Sequence, residues 1–158
     1  MEYFVTSIKE ITSKRRAVYV DYEHVFALYA GELRKFGIKE QSYISEDVYD
    51  EIMTVLSKRA VIRGMNLLKN KDYTRAEFIK KLKDGYYPDK AVDAALEYIG
   101  RYGYIDDDRY ARNYVAFKAP VKSRRIIEQK LKEKGVSADI IACVCDEYYS
   151  DNGECELN

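Results

Sequence analysis

Tryptophan is absent from this 158-residue chain and histidine occurs once, at His24. A single histidine removes most of the Ser-His and Cys-His pairings that activate a nucleophile. His24 itself falls beside a predicted turn, where a surface role is enough to explain it. Cysteine is scarce and crowded towards one end, at Cys143, Cys145 and Cys155. An odd, clustered set is no disulfide framework, and it fits a reduced, cytoplasmic compartment. Cys143 and Cys145 lie two apart on a predicted helix, roughly 200° around it from each other, so they cannot hold one metal ion together. No apolar run approaches the roughly 18 residues that cross a bilayer, which argues against a membrane partner. The start, Met1-Glu2-Tyr3-Phe4, is acidic and short of apolar length, unlike a signal peptide. No glycine-rich phosphate loop occurs. The run Asp106-Asp107-Asp108 is explained by helix capping better than by a cation site, because consecutive side chains at a helix start diverge. These absences point away from an enzyme and imply no cofactor, no metal and no small-molecule substrate.

What the chain has is charge and tyrosine. At 47% hydrophobic and 34% charged it reads as a charge-rich globular protein rather than a disordered one. Its formal net charge is zero, yet the charges are arranged in blocks. Residues 58–83 and 109–134 each carry nine basic and two acidic side chains. Residues 84–108 carry two and seven, and 135–158 carry none and six. Alternating blocks of this kind can present separate faces to separate partners.

The alternation follows a repeat of 49 residues. At that shift Arg75, Lys81, Leu82 and Lys83 fall on Arg124, Lys130, Leu131 and Lys132, Phe78 falls on Ile127, and Val92 on Ile141. Upstream, Val61, Met65 and Leu68 fall on Tyr110, Tyr114 and Phe117 with no gap. Each copy reads as three helices. In the first, Val61, Ile62, Met65 and Leu68 form an apolar stripe. Thr74 with Glu77 is a capping box for a second helix that Gly85 ends, and Pro88 opens a third. The second copy starts at Asp106 or Asp107. Its middle helix spans about 123–134 and stops at Gly135, and Ser137 caps the last. Ahead of the repeats, Val18 and Val20, then Phe26 and Leu28, alternate as hairpin strands around a turn at Asp21 to His24, with Phe4, Val5 and Ile8 as a further strand. Ser45 then caps a helix running towards the first repeat. The expected organisation is an amino-terminal region over 1–57, repeats over 58–105 and 106–150, and an acidic tail over 151–158. The fold class is mostly α, with a small β-hairpin-containing region in front.

The basic blocks carry the binding reading. Lys122, Arg125, Gln129 and Lys132 recur at spacings of three or four, apart from the buried stripe of Ile127 and Leu131. Such a stripe can follow phosphates or an acidic protein groove; a solvated face in a charge-rich protein is the plainer alternative. Tyr86, Tyr87, Tyr98, Tyr102, Tyr104, Tyr110 and Tyr114 gather near the junction of the copies. Tyrosines there suit the filling of an inter-repeat interface, and base stacking is the alternative.

The junction also carries a resemblance. Gly103-Tyr104-Ile105-Asp106-Asp107-Asp108-Arg109-Tyr110-Ala111 resembles the Gly-Tyr-Leu-Asp-Asp-x-Arg-Phe-Ala signature of the RecX family, bacterial regulators of the RecA recombinase. Lys58-Arg59-Ala60, Leu67-Leu68 and Thr74-x-x-Glu77-Phe78-x-x-Lys81-Leu82 look like that family's first repeat. Arg125-Ile126-x-x-x-Leu131-x-x-Lys134-Gly135-Val136 looks like its second. The resemblance implies tandem three-helix repeats in an elongated, curved array. It also implies docking on the RecA filament formed on single-stranded DNA, with inhibition of strand exchange and of the repressor cleavage behind the SOS response. Direct contact with DNA would be weak and electrostatic. The basic blocks offer Lys80, Lys83, Arg109, Arg112, Lys118, Lys122, Arg124, Arg125 and Lys132 as the side chains to meet RecA or DNA, and the resemblance marks Gly103, Tyr104, Asp106 and Asp107 as signature residues. Two departures stand out: Lys122-Ser123 replaces the usual Gly-Pro, and the usual third repeat is lacking. The alternatives are a nucleic-acid-binding helical module acting without RecA, and an adaptor whose basic faces meet the acidic helices of another copy.

Overall fold

The computed structural model describes residues 1–157, with side chains described through Ser150. The acidic tail expected over 151–158, Cys155 included, lies outside the residues whose side chains are described. The chain is mostly helical behind a small antiparallel sheet. Strands β1 (Glu2–Glu10), β2 (Arg15–Val20) and β3 (His24–Tyr29) are followed by helix α1 (Ala30–Phe36) and strand β4 (Ser42–Ser45). Helices α2 (Glu46–Asn70), α3 (Arg75–Asp84), α4 (Asp89–Arg101), α5 (Asp107–Lys118), α6 (Arg124–Glu133) and α7 (Ala138–Leu157) complete it. Two compact units divide the chain, Met1–Asn66 with Lys81–Ile99, and Leu67–Lys80 with Gly100–Asn158.

The first unit is built on a four-stranded sheet of order β3-β2-β1-β4. The turn between β2 and β3 has no glycine, yet Asp21 and Tyr22 both adopt left-handed conformations, at φ 51° and 63°. Local hydrogen bonds hold them there. The Asp21 carboxylate accepts from Phe4 N at 3.0 Å and Tyr22 N donates to Thr6 Oγ1 at 3.0 Å. Val5, Val18, Val20, Phe26 and Leu28 are buried on the sheet, as are Ile52, Met53 and Leu56 of α2. Tyr49 of α2 stacks on Tyr3 with ring centroids 3.8 Å apart, which fixes that helix to the sheet. Two elements were not expected from the sequence. Helix α1 closes on Gly37 at φ 68°, and β4 adds a short edge by pairing Ile44 with Tyr3.

In the second unit α5, α6 and α7 enclose one core of Ala111, Val115, Ile127, Leu131, Val136, Ile141, Val144 and Cys145. Each helix starts on a side-chain cap. Asp106 accepts from Arg109 N, Ser123 from Ile126 N and Ser137 from Ile140 N. Such caps satisfy amide donors that the helix itself leaves open. The repeat of 49 reappears at the ends of α3 and α6. Tyr87 N donates to Leu82 O at 3.2 Å, and Val136 N donates to Leu131 O at 3.1 Å. The residue before each donor, Tyr86 or Gly135, is left-handed, at φ 68° and 88°.

One part of the repeat needs correction. Phe117 is 75% exposed and Ile62 is 62% exposed, so neither belongs to a buried stripe. Ala60 and Gly64 are buried in α2, as is Leu67, and the matching buried pair in α5 is Ala111 and Val115. The first helices therefore correspond at a shift of 51, and the second copy is two residues shorter before its middle helix. Of the apolar residues read in α2 and α5, Tyr110 and Tyr114 pack beside the core, whereas Ile62 and Phe117 face away from it.

Candidate binding surface

The candidate surface lies on the second unit, where α6 and α7 run side by side. Ile127 and Leu131 bury one face of α6, which leaves Arg125, Gln129 and Lys132 exposed on another. Lys122 does not share that helical face as expected. Ser123 is the extended N-cap of α6, at φ −71° and ψ 157°, so Lys122 precedes the helix, although it is exposed. Between α6 and α7 is an open groove of about 520 Å³. Val136, Ala138, Ile141 and Ala142 give it an apolar side, and Arg125 and Lys132 stand among its polar residues with Glu128 and Gln129.

The nine candidate cations fall into distinct environments. Arg124 pairs with Glu128 at 3.3 Å and with Asp146 of α7, and Arg112 pairs with Asp108 at 2.6 Å and Glu147 of α7 at 2.9 Å. Hydrogen bonds to these carboxylates, Asp146 first for Arg124 and Asp108 first for Arg112, push both guanidinium pKa values above the ordinary arginine value. Both arginines thus tie the basic helices to the acidic helix of their own repeat. Arg109 donates to the carbonyls of Gly103 at 2.9 Å and Tyr104 at 3.4 Å, closing the turn ahead of α5. Lys83, in the first unit, pairs with Asp89 at 3.0 Å. Lys118 lies 5.2 Å from the ring centre of Phe117, and Lys80 is also engaged by a neighbouring group. Among the described residues, Lys122, Arg125 and Lys132 have neither a salt bridge nor a side-chain hydrogen bond. These three can offer full charge to a partner without first breaking an internal pair.

The signature residues have structural tasks. Gly103 is left-handed at φ 68°, Tyr104 stacks on Tyr102 at 5.7 Å, Asp106 caps α5, and the Asp107 carboxylate accepts from Arg75 N at 2.8 Å. The tyrosines near the junction do not act as one group. Tyr110 and Tyr114 stack on each other, 6.4 Å apart, and pack against the second-unit core. Tyr86 and Tyr87 line a cavity in the first unit. Sequence reasoning missed Phe117 and Val121, which are 75% and 72% exposed and sit beside Lys118 and Lys122 in the chain. The spacing of Ala111 and Val115 could have revealed Phe117, because a residue two past Val115 points away from the core.

Among the described residues no cluster of histidine, cysteine and carboxylates could hold a metal ion, and no helix is long and apolar enough to cross a membrane. Fold and surface together define a helical-repeat protein with a basic, partly apolar face. Residues 106–144 match the family model described as RecX, second three-helix domain. Relatives named regulatory protein RecX include one from Caldanaerobacter subterraneus, 29% identical over 95% of this chain and 77% of its own length. The Listeria welshimeri relative is 25% identical over 92% of this chain and 55% of its own. The Clostridium acetobutylicum relative is 25% identical over 96% and 72%. A crystal structure of regulatory protein RecX shares the fold with a TM-score of 0.58 at 23% identity, covering 92% of this chain and 74% of that one. RecX from Lactobacillus salivarius does so with a TM-score of 0.59 at 21% identity, covering 63% and 65%. Over most of its length the chain is similar to members of the RecX family, and the relatives cited here are named regulatory proteins.

Proposed function

We propose that this protein regulates RecA by binding the RecA filament on single-stranded DNA, inhibiting strand exchange and RecA-assisted repressor cleavage in the cytoplasm, and that it does so without catalysis of its own. Similarity to proteins named regulatory protein RecX supports the partner. The observation that carries the surface is the set of unpaired cations, Lys122, Arg125 and Lys132, the last two beside the apolar groove of α6 and α7. Charge without an internal partner has no ion pair to break on meeting a phosphate or carboxylate, whereas Arg112 and Arg124 would have to exchange one pair for another. We read residues 58–105 and 106–150 as the two repeats, with the second bearing this face. The test is RecA's DNA-dependent ATP hydrolysis and strand exchange with and without the protein. No effect at several-fold excess refutes the reading.

The same cations favour one second reading, direct nucleic-acid binding without RecA. Three phosphate contacts predict a slope of log affinity against log salt of about −2.7 on duplex DNA and about −2.1 on single strands. Fluorescence anisotropy across a salt series separates the two. Strong binding with that slope and no RecA supports the second reading; weak binding that RecA-coated DNA strengthens supports the first.

A further inference from the structure

The first unit contains a cavity of about 260 Å³ that the filament reading does not use. Arg15, Arg59 and Arg63 line it, with Tyr29, Tyr86 and Tyr87. Its positive charge is only partly neutralised. Glu32 takes two hydrogen bonds from Arg59, whose guanidinium also lies 4.9 Å from the ring centre of Tyr29. Arg15 spends one N–H on Gly85 O at 3.0 Å and has no carboxylate partner among the described residues. Arg63 is exposed, with no ion pair or side-chain hydrogen bond among the described residues. A guanidinium has five donors, so most of those on Arg15 and all of those on Arg63 remain for a ligand.

The backbone adds an independent observation. Tyr86 is left-handed at φ 68°, a conformation that a side chain of this size rarely adopts. The second copy places Gly135 at the corresponding turn, at φ 88°. The first copy therefore keeps an aromatic ring where its sister uses the residue that suits the turn, and that ring lines the cavity. A disfavoured conformation retained at a pocket wall is the kind of outlier that marks a binding site. Tyr87 beside it is half-buried, and burial pushes its phenol up, so it stays neutral and able to donate.

The geometry points to one nucleotide as the ligand, with its phosphate held by Arg15 and Arg63 and its base against Tyr86 and Tyr87. Phosphate alone would leave the rings and the apolar wall of Leu28 and Leu56 unused. Flat rings beside arginine planes suit stacking by any base, so the site has no need of base specificity.

Calorimetry on the full chain tests this, with dAMP as the probe and deoxyadenosine, inorganic phosphate and phenyl phosphate as comparisons. Saturable dAMP binding, weakened at least about tenfold in Arg63→Ala and in Tyr86→Asn, is the expected result. Asparagine tolerates the left-handed turn, so Tyr86→Asn removes the ring with the fold kept, which circular dichroism verifies. Absence of saturable dAMP binding overturns the proposal, as do wild-type affinity in both variants or equal binding of phosphate or phenyl phosphate. A 5′-phosphorylated tetranucleotide that displaces dAMP identifies a strand end as the source, and one that fails to displace it identifies a free nucleotide. Arg125→Glu/Lys132→Glu should bind dAMP as the wild type does, which keeps this test separate from the filament reading.

Discussion

Substituting alanine at three glycines separates two physical causes of strain, and the structure gives each its size. Gly135 is left-handed at φ 88°, and a β-carbon there would lie 2.3 Å from Cβ of Ala76, a distance no real pair of carbons tolerates. Gly103 is left-handed at φ 68° but has open space around it, and Gly31 lies in α1 with neither constraint. Gly31→Ala should therefore stabilise the protein by about 0.5–1 kcal/mol through helix propensity alone. Gly103→Ala should cost about 1–2 kcal/mol, the backbone term by itself. Gly135→Ala incurs that term and must also push α3 away from the α6–α7 turn. Crowding of this kind costs about 1–3 kcal/mol. The shift also strains the hydrogen bond from the buried Thr74 hydroxyl to Lys134 O, 2.6 Å long and worth about 1 kcal/mol. The expected total is roughly 3–6 kcal/mol. Urea denaturation followed by far-UV circular dichroism measures all three. If Gly135→Ala is no worse than Gly103→Ala, the close approach of Gly135 to Ala76 is wrong.

Three further outcomes are expected. Pairing with Arg59 holds the Glu32 carboxyl below its usual value of 4.5, so the stability it gives is complete above that pH and fades as pH falls through the depressed native value. Glu32→Gln should accordingly cost about 1–2 kcal/mol at neutral pH and progressively less in acid, and an equal difference at every pH would contradict the pairing. Burial pushes the Cys145 thiol up, whereas Cys143 is exposed, so mass-mapped alkylation of the native protein should label Cys143 well before Cys145. Phe117→Ser should leave the denaturation midpoint unchanged within about 0.5 kcal/mol, since the ring is exposed; a large loss would restore Phe117 to the core.

The caps and turns were the most legible part of the sequence. Thr74, Asp106, Ser123 and Ser137 each stand where a short polar side chain can reach an amide two or three residues on, and that geometry is local. Gly135 was legible as a helix end for the same reason. Helix α1 was not, because seven residues including Gly31 have little propensity of their own. Glu32 ties that segment to Arg59, 27 positions away. Strand β4 is four residues long, and its pairing with β1 decides its conformation. Among the candidate contacts, local pattern put Arg125, Gln129 and Lys132 on one exposed face. It could not reveal that Arg112 and Arg124 are taken up by Glu147 and Asp146, since those pairs depend on how α7 packs. Nor could it show that Arg109 closes a turn. Glutamate at Arg109 would thus perturb the fold as well as any interface, and Arg125 and Lys132 are the cleaner probes.

The most direct measurement is RecA-promoted strand exchange titrated with the wild-type protein and with Arg125→Glu/Lys132→Glu, each verified as folded by circular dichroism. Regulation through the α6–α7 face predicts that the wild type inhibits and that the double variant needs at least about tenfold more protein to do the same. Equal inhibition by the folded variant, or none by the wild type, would contradict it.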